Sequence, residues 1–118
     1  MVTDTPDGRA LARRLAVATG GDLSVVDERS DPEPTPDGTV AYAVAAGSRT
    51  LADVSVHPDR LHLEVRAAPG EAAAVAADAD LRIRPKATRP PRTLVFVETA
   101  EEIAPALDAL AAVRSAVE

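Results

Sequence analysis

The 118-residue chain contains no cysteine. Disulfide frameworks, zinc fingers, iron–sulfur ligation and thiol catalysis are therefore excluded. Tryptophan is absent, and there is one phenylalanine and one tyrosine. No aromatic series exists on which the bases of a single strand could stack. The two histidines, His57 and His62, leave little for a metal or acid–base centre. Glycine is sparse, with no GxGxxG, no Walker-type loop and no GxSxG elbow. No apolar run approaches the roughly 20 residues that span a bilayer. The opening segment, Met1 to Asp7, is acidic and lacks the apolar stretch of a signal peptide. These absences lead us to expect a cytoplasmic protein without a cofactor, more in keeping with a non-enzyme than an enzyme.

What is present is aliphatic but thin. Hydrophobic residues make up 46% of the chain, yet 25 of them are alanine, while Leu, Ile, Val and Phe together number 27. That is enough for one folded domain with a modest core. The formal charge is −6, from 19 acids against 13 bases. An acidic balance argues against a general nucleic-acid binder, which carries a basic surplus. Twelve of the bases are Arg and one is Lys, and Asp outnumbers Glu 11 to 8. Such a composition is halophile-like, since an acidic surface stays solvated in salt and resists association. GC-rich coding would give the same excess of Ala and Arg, and both readings stay open.

Pattern and punctuation give the element order. Thr5-Pro6 suits a helix start, with Leu11, Leu15 and Ala18 at helical spacing and Gly20-Gly21 as the stop. A helix is predicted from about Pro6 to Thr19. A short strand follows at Leu23 to Val26. Residues 27–38, with three Pro and five acids, read as an acidic surface loop and mobile connector. Thr39 to Ala45, Arg49 to Val56 and Arg60 to Arg66 then form an antiparallel meander with period-two alternation. A two-residue Pro58-Asp59 turn gives paired residues summing to 117, so Val56 faces Leu61 and Val54 faces Leu63. Around Gly47-Ser48 an odd-length loop, with sums of 96, keeps Val40, Tyr42 and Val44 on the apolar face. An Ala-rich helix runs from Pro69 to about Ala79, and Leu81 and Ile83 form an edge strand. Arg92 to Glu98 reads as a central strand covered on both sides. Thr99-Ala100-Glu101-Glu102 is a capping-box sequence, and Ile103, Leu107, Leu110, Val113 and Val117 continue it at helical spacing. Pro105 either kinks this helix or lies near its restart. The expected fold is a single α+β domain over residues 1–118, in the order α-β-β-β-β-α-β-β-α. Its sheet is mainly antiparallel and covered on one face by helices.

Three constellations could carry a function. Arg82, Arg84, Lys86, Arg89 and Arg92 place five bases and no acid in one segment, with three prolines at 85, 90 and 91. The remainder of the chain then carries 8 bases and 19 acids, a net −11. Extended arginines can grip carboxylate or phosphate bidentately. They can equally neutralise the protein's own acids. Asp53, Ser55, His57, His62 and Glu64 form the second group. In the 117 register Asp53 faces Glu64, an unfavourable pair unless a cation relieves it. Asp53, His62 and Glu64 are thus weak candidates for a divalent metal that activates water, against a solvated face screened by Arg66. The third is the apolar stripe of the last helix, which reads as core or as a homodimer surface. The leading expectation is a non-enzymatic interaction domain that contacts an acidic partner or an anion through residues 82–92, its basic Pro-rich part being 84–92. The alternatives are a regulator binding nucleic acid or an anionic ligand, and a small metal-assisted hydrolase.

Overall fold

In the computed structural model, which describes residues 7–117, the first helix, α1 (Gly8–Ala18), is capped by Asp7. The Asp7 carboxylate accepts from the backbone N–H of Arg9 at 2.9 Å and of Ala10 at 3.4 Å. It thereby satisfies two of the donors that a helix start leaves open. The cap expected at Thr5-Pro6 lies outside the described residues. Leu11, Ala12 and Leu15 form the buried face. The helix stops at Thr19, whose hydroxyl donates back to the Leu15 carbonyl at 2.7 Å.

Strands β1 (Ser24–Val26), β2 (Thr39–Ala46), β3 (Arg49–Val56), β4 (Leu61–Val65), β5 (Ile83–Lys86) and β6 (Arg92–Val97) make one sheet in the order β1-β2-β3-β4-β6-β5. Every pairing is antiparallel. Between β4 and β5 comes α2 (Pro69–Asp78), with proline in its first turn, where a missing N–H is harmless. After β6 a single 3-10 turn (Ala100–Glu102) leads into α3 (Ile103–Val117). Pro105 thus sits in the first turn of a restarted helix. Glu102 Oε1 accepts from the backbone N–H of Glu98 at 2.7 Å and Thr99 at 3.2 Å, the carboxylate half of the capping box. The molecule is a single α+β domain with the expected order.

The helices lie on one face of the sheet. Register puts Tyr42, Val44, Ala52, Val54, Val56, Leu61, Leu63, Val65, Val95 and Val97 on that face, all of them buried. Ile103, Leu110 and Val113 of α3 close the core from above, and Leu107 and Val117 pack against it half-buried. The stripe of α3 is therefore packed inside the monomer. Among the described residues the exposed large hydrophobic side chain is Val17.

One expectation needs correction. The β3–β4 register sums to 117 as expected, but the β2–β3 turn is not odd. Ala46 pairs with Arg49 and Ala45 with Thr50 around a two-residue Gly47-Ser48 turn, where Gly47 has φ 60°. The sum of 96 appears further along, at Tyr42–Val54 and Val44–Ala52, because Leu51 is an extra residue on β3. A second extra residue, Ala41 on β2, returns the ladder to 95 and turns Val40 onto the helix-free face beside Ser55. Two bulges do what an odd loop was expected to do. At the first bulge the neighbours Leu51 and Ala52 are both fully buried. Residues 27–38 are mostly exposed and are tied to the sheet at two points. Arg29 N–H donates to the Ala41 carbonyl at 2.8 Å, and the Pro36 carbonyl lies 2.9 Å from His57 Nδ1. Residues 36–38 thereby lie over the helix-free side of the sheet at His57, while residues 28–32 lie beside α1.

Candidate functional site

The helix-free face carries a charged strip and a small buried cluster, both positioned by the register. Across β3, β4, β6 and β5, Asp53 lies opposite Glu64, Glu64 opposite Leu94, and Leu94 opposite Arg84. The opposed carboxylates are relieved from two directions. Arg66 grips Asp53 bidentately, Nε to Oδ2 at 2.9 Å and Nη2 to Oδ1 at 2.7 Å. Glu64 takes Arg92 Nη1 at 2.5 Å and Lys86 Nζ at 3.4 Å. Burial pushes the Glu64 carboxyl up, but the Arg92 hydrogen bond and the Lys86 charge outweigh it, and the net displacement is downward. With both carboxylates held by cations, the proposed ligand set Asp53, His62 and Glu64 is not assembled. Among the described residues no three His, Cys, Asp or Glu side chains are placed to hold a metal ion. The geometry gives the metal-hydrolase reading no support.

The basic segment is divided. Arg82 Nη1 lies 3.6 Å from Glu98 Oε2, and Lys86 and Arg92 share Glu64. Arg84 and Arg89 are exposed and make no ion pair among the described residues. Arg84 sits on β5, at the edge of the sheet, and Arg89 in the Pro-rich turn between β5 and β6. Self-neutralisation thus accounts for three of the five bases and leaves two.

The buried cluster was only half legible. The sequence pattern groups His57 and His62 with Ser55, but His57-Pro58 reads locally as a turn. In the structure the two imidazoles meet, His57 Nε2 to His62 Nδ1 at 2.7 Å, with both side chains buried. The Pro36 carbonyl can only accept, so His57 Nδ1–H donates to it. His57 Nε2 is then the acceptor, and His62 Nδ1–H donates to that nitrogen. Phe96 packs on His62 at a ring-centroid distance of 5.6 Å, and Arg60 covers the outer face of Phe96 at 5.3 Å. This is how β6 is covered on its second side at Phe96, whereas Leu94 stays half-exposed. Gly38, at φ 93°, lies directly over the pair; a Cβ there would come within 2.9 Å of His62 Cε1 and 3.1 Å of His57 Nε2. His62 is pushed down to about 4 by burial first and by His57 second; Lys86 and Arg60 act in the same sense, and Glu64 opposes them. The signal that could have revealed the contact is the 117 register itself. It places His57 one pair outside Val56–Leu61 and His62 one pair inside, diagonal on a single face.

The whole chain, residues 1–118, matches the model of a family of unknown function, DUF7993. The chain belongs to this family. No curated protein and no solved structure matches it. Among the described residues no helix is long and apolar enough to cross a membrane.

Proposed function

We propose that this member of the family is a non-enzymatic interaction domain that receives an acidic segment of a protein partner, or another anion, at the basic edge formed by β5 and the turn after it. The observation that carries the reading is the division of the basic segment. Among the described residues Arg84 and Arg89 pair with no carboxylate, although the protein is acidic. Pro85 removes one backbone donor from the edge strand, which disfavours addition of a further strand. Contact through the guanidinium groups is therefore the more favourable mode, and it takes carboxylates in bidentate pairs.

Fluorescence anisotropy with a labelled decaglutamate peptide tests this at low and at moderate salt. The Arg84→Glu/Arg89→Glu variant is expected to bind at least tenfold more weakly. Wild-type affinity is expected to fall as salt screens the contact. Unchanged affinity in the variant removes the edge from consideration. A labelled oligothymidylate serves as the comparison; tighter binding of it would transfer the reading to nucleic acid.

A further inference from the structure

Three arginines outside the basic segment converge on one cleft. Arg9 and Arg13 stand four residues apart on α1, neighbours on one helix flank, and Arg29 comes from the connection after β1. The space between them is about 200 Å³. Its floor is formed by buried Ala12, Ala41, Tyr42 and Val56, flanked by Ala16 and Pro32. Arg13 and Arg29 make no ion pair among the described residues. Arg9 is paired with Asp31. Glu28 also lines the cleft, so three bases face two acids in a chain whose net charge is −6.

The Arg9–Asp31 pair is weakly held. Asp31 sits in the connection after β1 with a left-handed backbone, φ 53°, a conformation that aspartate tolerates. Its side chain is 83% exposed, so water and salt screen the pair.

The geometry points to a binding site for a small carboxylate with an apolar body in the cleft between α1 and the 28–32 stretch, with Asp31 as the built-in occupant that the ligand displaces. The guanidinium fork of Arg9 matches a carboxylate, and Arg13 and Arg29 add positive charge at the rim. The Ala and Val floor receives the hydrocarbon body. The volume falls below the roughly 300–1,000 Å³ of sites for drug-sized ligands, so the ligand is a short-chain or single-ring acid. Inorganic phosphate would satisfy the arginines but leave the floor uncovered. The site shares no residue with the β5 edge and stands independently of it.

The test is an amide chemical-shift titration of the full chain at constant low ionic strength, with benzoate, methyl benzoate and inorganic phosphate as probes. Benzoate is expected to produce saturable shifts in α1 and at residues 29–31. Methyl benzoate should produce none, and phosphate should bind at least tenfold more weakly. Arg13→Ala/Arg29→Ala should weaken benzoate at least tenfold. Asp31→Asn, which removes the internal competitor, should strengthen it twofold to fivefold. All three positions are exposed, and an unchanged thermal melt confirms that each variant is folded. The proposal is overturned by any of four results: no saturable shift with benzoate, equal binding of the ester, equal binding of phosphate, or an Asp31→Asn variant that binds benzoate no better than wild type.

Discussion

Acid should weaken this fold through one histidine, in a pH window that the carboxylates do not share. His62 titrates near 6.5 when free and at about 4 in the fold, because burial and the adjacent His57 disfavour its cation. The unfolded chain therefore takes up the proton first. The stability that His62 contributes is whole above pH 6.5 and is lost as the pH falls toward 4. Linkage between these two values gives a loss of about 2 kcal/mol at pH 5 relative to pH 7.5, or roughly 1–2 kcal/mol once screening at the ring edge is included. Glu64 acts in the same direction, but its contribution is lost only below its ordinary value of 4.5. Urea unfolding at pH 7.5, 6.5 and 5.0, at constant ionic strength, separates the two. With a slope of about 1–3 kcal/mol per molar urea, the wild-type midpoint should fall by roughly 0.5–1.5 M over that range. His62→Gln keeps an N–H that can donate to His57 but cannot ionise, and it should lose less than half as much. A wild-type midpoint that is flat from pH 7.5 to 5.0, or a variant as pH-sensitive as the wild type, would refute the reasoning.

Two further substitutions test how α1 is seated. Gly8 lies so close to the β3–β4 turn that a Cβ would overlap the His57 and Arg60 carbonyl oxygens, both of them backbone atoms. Gly8→Ala should therefore cost about 3 kcal/mol or more in urea unfolding, although alanine is normally the better helix former. The Tyr42 hydroxyl donates to the Ala12 carbonyl at 2.6 Å in the core, and burial together with Glu28 raises its pKa. Tyr42→Phe should cost about 1 kcal/mol with an unchanged slope in urea, and a cost near zero would mean that this bond does not hold the helix.

The parts of the fold that could be read from the chain are those set by local pattern. Leu61, Leu63 and Val65 alternate cleanly, and a two-residue turn fixes their partners by arithmetic alone. The β2–β3 ladder resisted the same arithmetic because Ala41 and Leu51 are small or aliphatic residues with nothing in their neighbourhood to mark a bulge. The burial argument still found the correct middle pairs, since Tyr42 and Val44 must face the core whatever the turn does. The candidate sites follow the same division. Five bases between residues 82 and 92 are visible in a sequence, but which of them find carboxylates depends on the strand order that brings Glu64 beside Arg92 and Lys86. The arginine cleft depends on how α1 sits against a connection about twenty residues away, a distance over which no periodicity speaks. The histidine pair lies between these cases: the 117 register places both rings on one face, but the His57-Pro58 step has the local signature of a turn.

The placement of α3 has a consequence for the order of events during synthesis. This last helix packs against α1, α2, β3 and β6, so it touches elements drawn from nearly the whole chain. The meander from β2 to β4 is joined by tight hairpins and can pair as soon as it emerges from the ribosome. Its apolar face, however, stays incompletely covered until residues 103–113 arrive. Nascent chains stalled before that point would pair strands without sealing the core, and would be the species that a chaperone or a protease meets first.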